Sequence, residues 1–322
     1  MTDTVLLTGG SGFIGSRVYS ELVASGYDVL SLDKSPPRHP SQKHQVCDLL
    51  DQAGIIRVVS SFKPATILHL AARTDLAETQ DINGYSANIQ GVENVVAAIR
   101  ATPSVRRCIF TSSQLVCHVR YKPKNDTDYA PINLYGESKV QTENIVRSSD
   151  GGGVTWCLVR PTTIWGPGMN GHYQRFLLMI QKGRYFHVGR KPLYKTYGYV
   201  GNAAYQFRRL MEVPAESIHQ KTFYLADYEP LCLREWTTAF QIAFGASPIR
   251  TIPEGLARVC AGMGDMINAW GYGSFPFNSF RLNNVLAESG FDMEPIESVC
   301  GPLPYSMKKG VEETAAWFDK LR

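Results

Sequence analysis

Short apolar runs alternate with amphipathic stretches through the first half of the chain. The runs are rich in Val, Ile, Leu and Phe, and the stretches between them place apolar residues at helical spacing. The pattern predicts strands at 4–8, 27–33, 45–48, 66–70, 107–111 and 154–159, and helices at 13–25, 49–62, 84–100 and 133–146. This alternation indicates an α/β fold, a doubly wound parallel sheet with helices on both faces.

The first predicted strand runs into a glycine-rich turn that opens a helix. Gly9, Gly12 and Gly15 have the spacing G-x-x-G-x-x-G, and Gly10 with the last two also fits G-x-G-x-x-G. Glycines let the backbone turn sharply and approach a pyrophosphate. The unpaired N–H groups and positive dipole of a helix N-terminus attract an anion. The turn therefore predicts a Rossmann-type dinucleotide site.

An acidic residue, Asp33, ends the second predicted strand. A carboxylate at that point can accept hydrogen bonds from the adenosine ribose and repels a 2′-phosphate, which favours NAD over NADP. Lys34 and Arg38 follow it and soften that preference. NAD is therefore the predicted cofactor, and no metal site is predicted.

Composition narrows the class of partner and the compartment. The net charge of +4 is small and scattered, which argues against nucleic acid but suits a phosphorylated small molecule. No apolar run approaches ~18–20 residues, so no transmembrane helix is expected. The seven cysteines include no C-x-x-C pair and are expected to be buried thiols in a reducing compartment. Because the first strand starts at residue 4, no signal peptide is expected, and a cytoplasmic location is predicted.

Tyr135 and Lys139 form a Y-x-x-x-K pair on a predicted helix, where residues four apart share a face. A nearby ammonium favours the phenolate, so Tyr135 can exchange a proton with a carbinol while hydride moves to or from nicotinamide. Ser113 follows the strand at 107–111, which directs its hydroxyl to the same cleft, where it can hydrogen-bond the substrate oxygen. His69 is interpreted as a core histidine.

The alternation breaks near residue 165, where aromatic residues, prolines and shorter elements begin. One further strand is predicted at 222–226, with helices near 234–244, 254–269 and 305–320. We predict an NAD-binding Rossmann domain over 1–165 and a smaller, mostly helical substrate-binding region over 166–322. Elements of the first domain return within that region at about 195–226.

These motifs resemble those of the extended short-chain dehydrogenases/reductases of the NAD-dependent epimerase/dehydratase type, over nearly the whole chain. The stretches that carry the resemblance are 8–15, 48–49, 69–72, 88–91, 111–113, Tyr135 with Lys139, 160–167 and 195–202. The resemblance implies a nucleotide-sugar epimerase-like enzyme with a nucleoside-diphosphate sugar as substrate. It also implies a homodimer whose face is formed by the helices at 84–100 and 133–148.

The resemblance also assigns site residues. The catalytic set is Ser113, Tyr135 and Lys139. The implied cofactor contacts are Gly9, Gly12, Phe13, Ile14, Gly15, Asp33, Asp48, Leu49, Leu70, Ala71, Ala72, Asn88, Tyr135, Lys139, Pro161 and Thr163. The implied substrate contacts are Ser113, Gln114, Thr163 and Lys195.

The chain departs from the family pattern at informative positions. Gln114 and Leu115 stand where dehydratases have the acidic residues that eliminate water, so a dehydratase is not expected. Thr163 stands where several sugar epimerases have Asn. Lys195 replaces a common Arg, which keeps the charge but loses the bidentate geometry.

The prediction is an NAD-dependent nucleotide-sugar epimerase that works at C4 through a transient 4-keto intermediate, with Tyr135 as the acid/base. The alternative is an NAD(P)-dependent reductase or dehydrogenase of a keto-sugar or of a steroid- or flavonoid-like alcohol. A non-catalytic NAD(P)-sensing protein is a third interpretation, disfavoured because both Tyr135 and Lys139 are present.

Overall fold

The computed structural model describes residues 3–118, 121–269, 277–288 and 290–321. It divides into two compact units. The first comprises Met1–Ile164, Gly198–Tyr228 and Asp292–Tyr305, and the second comprises Trp165–Tyr197, Glu229–Phe291 and Ser306–Arg322.

The secondary structure follows the predicted alternation. The strands are β1 (Thr4–Thr8), β2 (Asp28–Asp33), β3 (His44–Val46), β4 (Thr66–His69), β5 (Arg107–Thr111), β6 (Thr155–Pro161), β7 (Thr163–Trp165), β8 (Phe186–Val188), β9 (Tyr194–Lys195), β10 (Tyr197–Tyr199), β11 (Lys221–Leu225), β12 (Leu231–Cys232) and β13 (Arg250–Ile252). The helices are α1 (Phe13–Ala24), α2 (Gln52–Phe62), α3 (Ser86–Arg100), α4 (Leu134–Ser148), α5 (Gly171–Gln181), α6 (Val200–Glu212), α7 (Ala215–Ile218), α8 (Leu233–Ala243), α9 (Glu254–Ala269), α10 (Ser279–Leu286), α11 (Glu294–Cys300) and α12 (Met307–Asp319). Short 3-10 turns lie at Ile82–Tyr85, Gln114–Val116 and Asp150–Gly152.

Seven strands of the first unit form one sheet in the order β11-β6-β5-β4-β1-β2-β3. The paired strands run parallel, and their registers place Thr8 beside His69, and Thr111 beside Val159. The carboxyl ends of these strands therefore lie along one edge, where open α/β sheets bind ligands. The predicted doubly wound α/β class is confirmed.

Helices cover the sheet because each presents an apolar face to it. On one side α2, α3 and α4 pack in series, and on the other α1 packs against α6. Ile67, Phe110 and Leu158 are buried in the core together with Val92 and Val95 of α3. The strands consist mainly of such residues because a sheet covered on both faces has no solvent-exposed side.

A segment near the C-terminus belongs to the first unit, although the sequence pattern predicts the second domain for it. In this segment, α11 packs against α6, and the apolar side chains of Ile296 and Cys300 are buried. Arg209 of α6 donates to the carbonyl of Cys300 at 3.3 Å. These contacts join residues about ninety positions apart, which local periodicity cannot reveal.

The second unit is mostly helical. Helix α8 packs against α5 and α12, and Trp236 of α8 stacks on Phe176 at 5.6 Å between ring centroids. Helix α9 packs against α10 around Ala257, Ala261 and Leu282. Within the described residues, no helix has the length and apolar character that crossing a bilayer requires.

Candidate active site

The glycine turn after β1 leaves no room for side chains. Gly9 has φ +78°, and a Cβ there would lie 2.6 Å from the amide nitrogen of Ala71. A Cβ on Gly15 would overlap the carbonyl oxygen of Gly9 and lie 3.0 Å from the Cα of Gly10. Glycine at both positions thus has a direct steric cause in the fold.

Helix α1 begins at Phe13, with Gly12 at its N-cap and no side chain among the described residues capping that end. Its first turn, which contains Phe13 and Ile14, therefore offers backbone N–H groups to a ligand. A narrow, uncapped glycine turn at a helix N-terminus fits the pyrophosphate of a dinucleotide. The cofactor predicted from the sequence is compatible with this cradle.

Asp33 lies at the carboxyl end of β2, beside the glycine turn. Its Oδ2 accepts from the Ser11 N–H at 3.1 Å, and its Oδ1 accepts from the Ser35 N–H at 2.9 Å. Arg38 reaches the same point and donates through Nε to the Ser11 carbonyl at 2.9 Å. Asp33 therefore joins the loops after β1 and β2, and each of its oxygens keeps a lone pair that can accept from a ribose hydroxyl.

The end of β4 lies against the glycine turn. The Ala71 N–H donates to Thr8 Oγ1 at 3.2 Å, and Leu70 and Ala72 flank it, half-buried. The predicted cofactor contacts Asp48 and Leu49 differ in exposure. Asp48 is exposed and accepts the Leu50 N–H at 3.0 Å, whereas the Leu49 side chain is buried in the core. Only the Asp48 side chain and the Leu49 backbone remain for a nucleotide.

Asn88 links helix α4 to the segment that follows β4. Its amide accepts from the Arg73 N–H at 2.8 Å and donates to the Arg73 carbonyl and to Ser138 Oγ, both at 2.9 Å. The side chain is buried and all of these contacts are internal. Asn88 thus holds α4, through Ser138, to the segment that follows β4, and its predicted cofactor contact would be indirect.

Ser113, Tyr135 and Lys139 come together at the end of β5. Helix α4 starts with Asn133 as its cap, which accepts the Gly136 N–H at 2.7 Å and fixes the first turn that contains Tyr135. The Ser113 hydroxyl lies beside the Tyr135 phenol and lowers the pKa of that phenol. The Lys139 ammonium donates to the Thr111 carbonyl at 2.8 Å, one turn along the same helix. The structure therefore brings the predicted catalytic residues together.

Burial sets the protonation of these groups. It raises the pKa of Tyr135 to about 12, against the opposing effect of the nearby Ser113 hydroxyl. It lowers the pKa of Lys139 to about 8, against the opposing negative charge of Glu143. The phenol is therefore protonated at neutral pH in this state, and Lys139 is mainly cationic but easily neutralised.

His69 is a buried core residue. Its Nδ1 is hydrogen-bonded to Thr8 Oγ1 at 2.8 Å, and burial together with the charge of Lys139 lowers its pKa to about 3. The imidazole is therefore neutral at physiological pH, and the prediction of a core histidine is confirmed.

The predicted substrate contacts fall in different places. Gln114 begins the 3-10 turn after Ser113 and is half-buried, and Thr163 follows Pro161 at the end of β6. Lys195 belongs to the second unit, where its buried ammonium donates to the Asn284 carbonyl at 3.0 Å and also to the Ala287 carbonyl. A diphosphate contact from Lys195 would require these bonds to be exchanged.

A family model described as the NAD dependent epimerase/dehydratase family matches residues 5–226. The chain belongs to this family. The family prediction made from the glycine turn, Ser113, Tyr135 and Lys139 is therefore confirmed, as is the prediction of an NAD(P)-dependent epimerase or oxidoreductase.

Relatives from two reaction classes share the epimerase/dehydratase family. An N-acetyl-α-D-glucosaminyl-diphospho-ditrans,octacis-undecaprenol 4-epimerase from Escherichia coli O157:H7 is 26% identical over 98% of this chain and 95% of its own. A 3-β-hydroxysteroid dehydrogenase from Mycolicibacterium neoaurum is 29% identical over 75% of this chain and 70% of its own. The UDP-glucose 4-epimerase of Thermus thermophilus, solved with NAD, has a TM-score of 0.72 at 21% identity and covers 98% of this chain and 99% of its own. That structural likeness shows the fold.

One buried charge of this epimerase/dehydratase site, Glu143, was not predicted from the sequence. Its side chain is fully buried and forms an ion pair with Arg160 at 2.8 Å. Glu143 lies four residues after Lys139 and eight after Tyr135 on α4, so all three share a helical face. This spacing is the sequence feature from which Glu143 could have been predicted.

Proposed function

We propose that the chain is an NAD-dependent epimerase that inverts C4 of a sugar carried on a diphosphate, with Tyr135 as the group that exchanges the hydroxyl proton. The observation that carries the proposal is the placement of Ser113 beside Tyr135 at the carboxyl edge of the sheet, with Lys139 one turn away. A 4-epimerase related over nearly the whole chain supports this reaction class.

The first unit supplies the residues that would hold the cofactor. The backbone of the glycine turn and the start of α1 would take the pyrophosphate, Asp33 the ribose, and Asp48 the adenine edge. NAD would supply a hydride acceptor in one half of the reaction and a hydride donor in the other, so that no cofactor is consumed.

Tyr135 and Ser113 would handle the proton. Burial holds the pKa of Tyr135 at about 12, so deprotonation needs a nearby positive charge. Lys139 supplies that charge from the same helical face. Ser113 would hydrogen-bond the substrate oxygen and orient it toward the phenol.

A second candidate is an NAD(P)-dependent reductase or dehydrogenase of a keto-sugar or a steroid-like alcohol. The observation that favours it is the position of Lys195, whose ammonium is bonded to two backbone carbonyls and not directed to a diphosphate. The related 3-β-hydroxysteroid dehydrogenase supports the same interpretation.

The nucleotide that the purified protein carries separates these two candidates. An epimerase returns its own hydride, so we expect denaturation to release close to one equivalent of NAD, identified by mass spectrometry. UDP-, GDP- and CDP-sugars and a polyprenyl-diphosphate sugar, screened without added cofactor, should then reveal the epimerised substrate. An empty site that fills only with added NADH or NADPH would instead favour the reductase or dehydrogenase.

A further inference from the structure

The catalytic face of α4 ends in a carboxylate that has no contact with solvent. Tyr135, Lys139 and Glu143 follow one another at four-residue spacing, so they line one side of the helix. The Glu143 side chain is fully buried. A lone carboxylate in that position is strongly unfavourable, so its partners must compensate for the lost water.

Four donor groups satisfy the Glu143 carboxylate. Oε1 accepts from Ser112 Oγ at 2.6 Å and from Arg160 Nε at 2.8 Å. Oε2 accepts from Arg160 Nη2 at 2.8 Å and from the Tyr129 phenol at 2.9 Å. The pairing with Arg160 is bidentate, the geometry that gives the strongest ion pairs. Arg147 lies farther away, at 3.7 Å.

These partners come from the strands that carry the rest of the site. Ser112 immediately precedes Ser113 after β5, and Arg160 lies in β6 directly before Pro161. Arg160 extends the network by donating to the Asp126 carbonyl at 2.6 Å. One carboxylate therefore fastens the ends of two strands to the helix that carries the catalytic tyrosine and lysine.

The negative charge of Glu143 also acts on the ammonium of Lys139. The Lys139 ammonium is bonded to a carbonyl and is buried, which disfavours its charge, and the Glu143 carboxylate opposes that effect. Among the described residues, the titratable and charged groups around Lys139 and Glu143 lie on several elements. They are His69 on β4, Tyr85 in the 3-10 turn before α3, Cys117 and Tyr129 in the segment between β5 and α4, Tyr135 and Arg147 on α4, Arg160 on β6 and Tyr224 on β11. His69 is neutral near pH 7, and the tyrosines and the Cys117 thiol are protonated because burial raises their pKa, so Glu143 is the negative charge that acts on Lys139.

We propose that Glu143 is a positioning residue that keeps Lys139 cationic and locks the ends of β5 and β6 to α4. The proposal rests on the proposed function, because it assigns Glu143 a role through Lys139 and Tyr135. Glu143 does not touch the substrate. It acts through its charge on Lys139 and through its hydrogen bonds to the ends of β5 and β6.

The test measures the titration of Lys139 directly, in the full-length protein as purified, by NMR of ¹³Cε-labelled lysine. The Lys139 signal is assigned by its absence in Lys139→Met. We expect a midpoint near 8 in the wild type. In Glu143→Gln the midpoint should fall by about one unit or more, since the ammonium loses its negative neighbour. A midpoint that stays at the wild-type value overturns the proposal.

Two matched variants separate the effect of the Glu143 charge from the effect of its side-chain length and position. Glu137→Gln makes the same change on the exposed side of α4 and should leave the Lys139 midpoint unchanged. Glu143→Asp keeps the charge but is too short to reach both strands, so it should keep a midpoint near the wild type while lowering turnover. A midpoint that falls as far in Glu137→Gln as in Glu143→Gln would contradict a specific role for Glu143.

Glu143→Gln leaves Arg160 buried without its partner and can prevent folding. The double variant Glu143→Met with Arg160→Met removes both charges together, and we expect it to keep the fold. Its Lys139 midpoint should also fall, and a wild-type midpoint there overturns the proposal. Because the readout needs no substrate, a lowered midpoint stands even if Tyr135→Phe keeps full turnover, which would refute the proposed function alone.

Discussion

Replacing Tyr135 with phenylalanine will lower turnover by about 10²–10⁴-fold, while folding and NAD content stay close to those of the wild type. The change removes one oxygen from a buried side chain and leaves the ring in place. The lost group is the phenol that lies beside Ser113 and that the proposed mechanism deprotonates with the help of the Lys139 charge. Proton exchange with the substrate hydroxyl then loses the phenol that the proposed mechanism uses.

The measurement combines three readouts on the same preparation. Turnover is followed with the substrate found in the screen, NAD content by mass spectrometry after denaturation, and stability by thermal unfolding. A fall in turnover with unchanged NAD content and Tm assigns the effect to proton transfer. Loss of NAD together with activity would show a damaged site instead, and full activity would refute the role of Tyr135.

Tyr85 offers a matched control. Its ring centroid lies 6.0 Å from that of Tyr135, and its buried phenol donates to the Asp75 carbonyl at 2.7 Å. Tyr85→Phe therefore removes the same phenolic oxygen from a neighbouring ring. We expect a loss of about 1 kcal/mol of stability from the broken hydrogen bond. Turnover should be retained, because Tyr85 makes no contact that the proposed proton transfer uses.

Most elements of the first 165 residues were predictable from the apolar period of the sequence, whereas several elements beyond them, such as α5 and α6, were not. The strand at 107–111 and the helix at 254–269 match β5 and α9. The buried face of α6 includes Asn202 and Gln206, which bond Asp227 and the Ala226 carbonyl. A polar side chain satisfied by a distant partner looks, in sequence, like a surface residue.

Within the site, residues whose role has a local cause were predictable, and residues held by distant partners were not. The glycine turn could be predicted because its cause is local: a left-handed backbone at Gly9 and close packing at Gly15. Lys195 was predicted as a substrate contact from the family resemblance, and its carbonyl partners, some ninety residues further along the chain, could not be predicted from local sequence. Glu143 was not predicted because the donors around it come from β6 and from the segment between β5 and α4. Spacing shows which residues share a face, but not what lies opposite.

The glycine turn makes a second prediction with a large effect, Gly15→Ala. Gly15 lies within α1, where alanine is intrinsically favoured over glycine by about 1 kcal/mol. The added Cβ would overlap the Gly9 carbonyl oxygen and would also lie 2.8 Å from its carbonyl carbon. Both obstacles are backbone, so the turn or the helix must shift. We expect net destabilisation of about 1–3 kcal/mol despite the gain in helix propensity.

Such a shift should act on the cofactor more than on the rest of the protein, since the turn and the start of α1 form the proposed pyrophosphate cradle. We expect Gly15→Ala to bind NAD at least about tenfold more weakly, as measured by calorimetry, and to be purified with little NAD. Gly262→Ala is the matched control, because Gly262 is also helical but has no atom within 4 Å of an added Cβ among the described residues. It should gain stability from propensity alone and keep its NAD. If Gly15→Ala behaves like Gly262→Ala, the turn does not hold the pyrophosphate; if only Gly15→Ala loses NAD, close backbone approach at this turn is what the cofactor requires.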